Sequence, residues 1–177
     1  MTAPCRALAA ARWLGQDMAR PATIDDAAEA IEVVRQSISR LCVVDHQNDQ
    51  ATLDRWLANK TPEKFGVWIG DPENFCVVEE IDGRVQGVGL VRRNGEVLLF
   101  YVAPGYQRKG LGRRIHDALE SHAICWGLRR LHLDSTAGAR RFYESLGYEV
   151  AGPERQLFGV LRTYPYAKPL QPIHAAS

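Results

Sequence analysis

Gln107-Arg108-Lys109-Gly110-Leu111-Gly112 stands between an apolar run that reads as a strand and a periodic run that reads as a helix. A helix start leaves its first backbone N–H groups without intrahelical partners and carries the positive end of the helix dipole. Gly110 and Gly112 have no β-carbon, so an anion can approach the backbone closely, and Arg108, Lys109, Arg113 and Arg114 add positive charge around it. The segment reads as a phosphate cradle. It fits neither the P-loop, which needs Gly-Lys-Ser/Thr, nor the dinucleotide fingerprint G-x-G-x-x-G.

Upstream, Glu96-Val97-Leu98-Leu99-Phe100-Tyr101-Val102 is almost wholly apolar, as a strand covered on both faces must be, and Ala103-Pro104-Gly105 ends it. Asn94-Gly95 and Asp82-Gly83 are hairpin signals, so residues 75–79, 85–91 and 96–102 read as three consecutive antiparallel strands. Downstream, Ile115, Leu119 and Ile124 share one face of a helix over 111–126, and Leu131-His132-Leu133 is a strand. A strand, a helix and a strand joined by a right-handed crossover make 96–102 and 131–133 a parallel pair. Residues 139–146 form a further helix ending at Gly147, and 148–150 with 157–166 make a closing hairpin. At the other end, Thr23 caps a helix over 24–41, Asp45 to Gln50 is a loop, and Leu53, Trp56 and Leu57 mark a second short helix. The sum is an α/β fold: a mixed, mostly antiparallel sheet with one parallel pair and helices on both faces.

Two segments now carry a resemblance. Residues 107–112 match [Gln/Arg]-x-x-Gly-x-[Gly/Ala], and Ala139-Arg140-Arg141-Phe142-Tyr143-Glu144-Ser145-Leu146-Gly147-Tyr148 matches A-x-x-F-Y-x-x-x-G-[Phe/Tyr]. Both motifs, in this order and context, resemble the GNAT superfamily of N-acetyltransferases over residues 18–170. The resemblance implies acetyl-CoA as co-substrate, with no metal, and direct transfer of acetyl to a primary amine of a small molecule or peptide. It implies pyrophosphate on Gln107, Arg108, Lys109, Gly110, Leu111, Gly112 and Arg113. Tyr101 and Val102 would face the thioester carbonyl, and Tyr143 would protonate the leaving thiolate. A base is not fixed by the family. Glu96, at the start of the strand leading to the motif, is the first candidate, and His46 is the second. A homodimer follows by analogy. The rival reading is a non-catalytic acetyl-CoA sensor or assembly module.

Length and composition bound the rest. The 177 residues allow one domain with a real core. Against 22 Lys+Arg stand 21 Asp+Glu, so the net charge of +1 supplies no field for nucleic acid. No apolar run approaches the roughly 20 residues that span a bilayer, so no membrane partner is expected. Cys5, Cys42, Cys76 and Cys125 lack CxxC spacing and read as reduced thiols of a cytoplasmic protein. Residues 1–17 read as an N-terminal extension, disordered or arising from a start codon placed too far upstream, and 171–177 as a C-terminal tail.

Overall fold

The computed structural model describes residues 19–171. The expected extension at 1–17, Cys5 and tail residues 172–177 lie outside the described residues.

The chain runs β1 (Arg20–Pro21), a short 3-10 turn (Ile24–Asp26), α1 (Ala27–Leu41), α2 (Val43–His46), α3 (Gln50–Leu57) and α4 (Pro62–Gly70). Then come β2 (Asn74–Ile81), β3 (Arg84–Arg92), β4 (Val97–Val102), α5 (Leu111–Cys125), β5 (Arg130–Ser135) and α6 (Arg140–Ser145). The chain closes with β6 (Glu149–Val150), β7 (Arg155–Phe158) and β8 (Leu161–Pro169). Strands β1 to β4 form one antiparallel sheet in sequence order, and β8 pairs antiparallel with β5, β6 and β7.

Alternation along β2 sorts its side chains between two cores. Val77 packs with Ile115 and Leu119 of α5, while Val78 packs with Ile31, Val34 and Ile38 of α1 and Phe65 of α4. Helices therefore cover both faces, as expected. Close contact of α5 with β3 depends on the two strand glycines: a β-carbon at Gly87 or Gly89 would sit 2.5 or 2.6 Å from Ile115.

Four expectations are corrected. The parallel pairing of β4 with β5 is not a ladder but a single bridge, Glu96 with His132, where the His132 amide donates to the Gly95 carbonyl at 2.9 Å. Beyond it the two strands part, and a cavity opens between them. The 45–50 loop is helical at its start. Asp45 and His46 belong to α2, because Asp45 reaches the distant amide of Gly138 and is buried there. Helix α4 is not legible in the sequence pattern, which Gly66 and Gly70 interrupt, yet Thr61 caps it by accepting the Lys64 amide and Pro62 stands in its first turn. Cys42 and Cys76 are free thiols, but Cys125 is disulfide-bonded, because spacing along a chain does not say which sulfurs meet in space.

The β7–β8 hairpin tip is held on α3. The Val160 amide donates to Thr52 Oγ1 at 3.1 Å, and Arg55 lies over the Phe158 ring. Gly159 has φ of 52°, and any β-carbon there would collide with Thr52 Oγ1. Gly159→Ala is therefore expected to lower stability by about 1–3 kcal/mol, read as a fall in the urea midpoint. Among the described residues no helix is long and apolar enough to cross a membrane.

Candidate active site

Where β4 and β5 separate, the gap becomes a cavity of about 600 Å³, walled by both strands, by α1 to α3 and by α6. Of the residues expected to act, Tyr101, Val102, Gln107, Arg108, Gly112 and Tyr143 line it. Lys109, Gly110, Leu111, Arg113 and Glu96 do not.

The approach to α5 is a sequence of tight turns. Gly105, Arg108 and Gly110 all have positive φ, at 87°, 59° and 85°, and Gln107 Oε1 accepts the Gly105 amide at 3.1 Å. Gly110 stands at the N-cap, and no described side chain caps the helix. The first-turn amides of α5 are thus left for a ligand or water. Lys109 lies over the Tyr106 ring at 4.7 Å, and Arg113 is exposed. Gly112 has a packing role beside any role toward a ligand, since a β-carbon there would meet Phe142 at 2.9 Å. Arg114, expected among the cradle cations, turns inward to Glu79, with Nε 2.5 Å from Oε1.

Strand β4 presents one edge to the cavity. The Ala103 amide donates to the Gln86 carbonyl of β3 at 2.8 Å. Backbone groups alternate edges along a strand, so the Tyr101 amide also faces β3 and the Val102 amide faces the open edge. Only the second of these two expected carbonyl-binding amides is free to turn to a ligand.

Tyr143, 8% exposed, packs edge-on against Phe100 and Tyr148. Burial, with some help from nearby Cys42, pushes its phenol well above the ordinary value of 10. Burial likewise raises Tyr101, which also feels Cys42, Tyr143 and Asp45, while a hydrogen bond with Trp56 pulls the other way. The Cys42 thiol is pushed up to about 12, mainly by burial and further by Asp45. These three groups are protonated and neutral near pH 7.

The two candidate bases are placed elsewhere. The Glu96 carboxylate pairs with Arg92 at 3.3 Å and is not brought to the cavity. His46 is buried, its Nδ1 accepting the Asn48 amide at 3.1 Å and its Nε2 sealed without a hydrogen-bond partner among the described residues, and it too is absent from the lining. Its neighbour Asp45, which sequence reasoning treated as a loop acid, does line the cavity. Among the described residues its carboxylate is hydrogen-bonded to a residue 93 positions away, for which no local pattern could have served as a signal. His116, Asp117 and Glu120 of α5 have potential metal-ligand atoms within 4.8 Å of one another, but Glu120 already pairs with Lys168 at 2.7 Å and none of the three lines the cavity.

Comparison with known proteins adds an independent finding. The sequence model of the acetyltransferase (GNAT) domain matches residues 31–169. An uncharacterised N-acetyltransferase of Mycobacterium tuberculosis (strain ATCC 25618 / H37Rv) is 26% identical over 102 residues, covering 54% of this chain and 65% of the relative. The chain thus spans less than two thirds of the length of that curated relative. A GCN5-related N-acetyltransferase from Rhodopseudomonas palustris superposes with a TM-score of 0.76 at 23% identity, over 88% of this chain and 97% of that one. The PaiA N-acetyltransferase from Thermoplasma acidophilum, solved with coenzyme A, gives 0.71 at 18% identity, over 85% and 96%. Both share the fold.

Proposed function

The chain belongs to the GNAT acetyltransferase family, and from that premise we propose that it moves an acetyl group from acetyl-CoA directly to a primary amine in a ternary complex. One observation carries the reading: the cavity beside the uncapped start of α5 also holds Tyr143 and the open edge of β4. The coenzyme A bound by the PaiA neighbour supports the same donor here.

In this reading the pyrophosphate takes the free amides at the start of α5, with Arg108, Lys109 and Arg113 as counter-charges. Pantetheine then runs along β4 and brings the thioester carbonyl to the Val102 amide, with Tyr101 beside it. The neutral amine attacks the carbonyl carbon, a C–N bond forms, and negative charge moves to the carbonyl oxygen, where the Val102 N–H meets it. As the C–S bond breaks, the Tyr143 proton passes to sulfur. The proton on the new amide nitrogen then replaces it on the phenol oxygen, directly or through water. The net release is one proton, lost when the acceptor ammonium became an amine.

The donor half is tested by Gly110→Asp. A side chain at position 110 is strained by the φ of 85° and its β-carbon would stand 3.3 Å from Arg114 Nη1, so an unchanged far-UV circular dichroism spectrum must accompany the measurement, while the Asp carboxylate stands where the pyrophosphate must sit. Calorimetry should show acetyl-CoA affinity reduced about 100-fold or more, equivalent to losing two charge-assisted hydrogen bonds. Unchanged affinity would remove α5 as the donor site. Thiol release from acetyl-CoA with a panel of amines tests transfer itself. Acetyl-CoA binding with no turnover on any amine would favour the sensor or assembly role.

A further inference from the structure

Asp45 is a buried charge with an unfilled contact. The residue is 6% exposed. Its Oδ1 accepts the Gly138 amide at 3.1 Å, which fixes the carboxylate against the segment leading into α6. A β-carbon at Gly138 would press on Oδ2 at 3.1 Å, so a larger residue there would push the carboxylate from its place by a few tenths of an ångström. Oδ2 itself makes no hydrogen bond among the described residues and is not sealed from the cavity that Asp45 lines. No described lysine or arginine pairs with it. Buried carboxylates are ordinarily paired with a cation, since an isolated one bears a desolvation cost of several kcal/mol. Here the place for that cation is the cavity.

The surroundings narrow what the cation belongs to. Leu41, Trp56, Leu98 and Tyr106 line the cavity and offer apolar and aromatic surface. Its other described acid, Asp134, is exposed on β5, where water screens its charge. Arg108 and Arg141 also line the cavity and disfavour a second positive centre on the guest. Tyr101 and Cys42, both at the cavity, lie within electrostatic reach of Asp45, so its charge is felt where β4 would present the thioester.

We propose that Asp45 binds the ammonium of the acceptor, and that the acceptor is a singly charged primary amine on an apolar or aromatic body. The proposal rests on the acetyl-transfer reading above for what occupies the α5 end of the cavity. The Gly138 contact keeps the carboxylate in place before the acceptor arrives, and Gly138 and Asp45 together set which amines are accepted.

The test is a calorimetric titration of 2-phenylethylammonium chloride into the full chain, with and without coenzyme A, for wild type, Asp45→Asn and Asp134→Asn. Asn keeps an oxygen for the Gly138 amide, and an unchanged acetyl-CoA affinity would report that the variant is folded. Loss of one charge-assisted contact should weaken 2-phenylethylammonium about 10- to 100-fold in Asp45→Asn and leave Asp134→Asn near wild type. Spermidine should bind wild type more weakly than 2-phenylethylammonium does. Equal binding by wild type and Asp45→Asn would overturn the role of Asp45, and no binding by wild type, or preference for spermidine, would overturn the substrate class. Failure of wild type to bind acetyl-CoA would instead count against the transferase reading, and the titration without coenzyme A still decides the proposal.

Discussion

Tyr143→Phe is expected to lower kcat for acetyl transfer about 10²- to 10⁴-fold, the range that a positioned general acid contributes, while acetyl-CoA affinity stays near wild type. The phenol is held against Phe100 and Tyr148 and lines the cavity, so removing one oxygen leaves the aromatic packing intact. Burial raises its pKa above 10, whereas an ordinary thiol titrates near 8.5. A phenol of that strength cannot hand its proton to a thiolate and stay ionised. The transfer has to be coupled to the proton leaving the newly acylated nitrogen, which restores the phenol within the same turnover. The expected signature is therefore a loss in kcat that stays large at every pH below the phenol's own titration, measured by thiol release between pH 6 and 9. A fall in affinity with kcat preserved would move Tyr143 from proton donor to packing residue.

The parts of this fold that follow from short-range pattern were legible from the residues. Asn94-Gly95 and Asp82-Gly83 announce their hairpins because left-handed turn positions restrict residue type locally. The start of α5 is legible for the same reason, with Gly110 at φ 85°. What could not be read depends on contacts distant in sequence. Helix α2 is only four residues long, too short to show a period, and its dock on Gly138 explains why Asp45 is helical and buried. The parting of β4 from β5 after one bridge is a property of two sheets meeting, and no single strand encodes it.

The glycine pair of the cradle shows both sides of that limit. Gly110 answers to backbone conformation, which its neighbours dictate. Gly112 answers also to the Phe142 ring, thirty residues on, so one motif combines a local turn with a helix–helix contact. The same holds for the bases. Residue type nominated Glu96, yet position gave its carboxylate to Arg92 and gave the cavity to Asp45.

Arg114→Met is expected to cost about 3 kcal/mol of stability at pH 7, the lower end for breaking a buried ion pair because the Arg114 side chain is 26% exposed. Met keeps the apolar stem of the side chain and removes its charge, leaving the Glu79 carboxylate buried beneath Gly87 and α5. Burial already raises the Glu79 pKa, with Arg114 acting in the opposite direction. A carboxyl whose folded pKa lies above its unfolded value binds protons more tightly in the folded state. Its contribution is complete below the unfolded value of 4.5 and is lost as pH rises through the folded value. Without Arg114 the folded value climbs further, so the deficit of the variant should be largest at neutral pH and shrink toward pH 4.5, as urea titrations at the two pH values would record. A deficit equal at both would mean lost packing. Replacing Glu79 with Met as well should recover most of the loss, since two apolar side chains leave no unpaired charge. Because Arg114 ties the second turn of α5 to β2, the single variant should also loosen the helix start and weaken acetyl-CoA, and the double variant should bind it more tightly than the single one. If Arg114 instead held phosphate directly, the double variant would bind acetyl-CoA no better than the single.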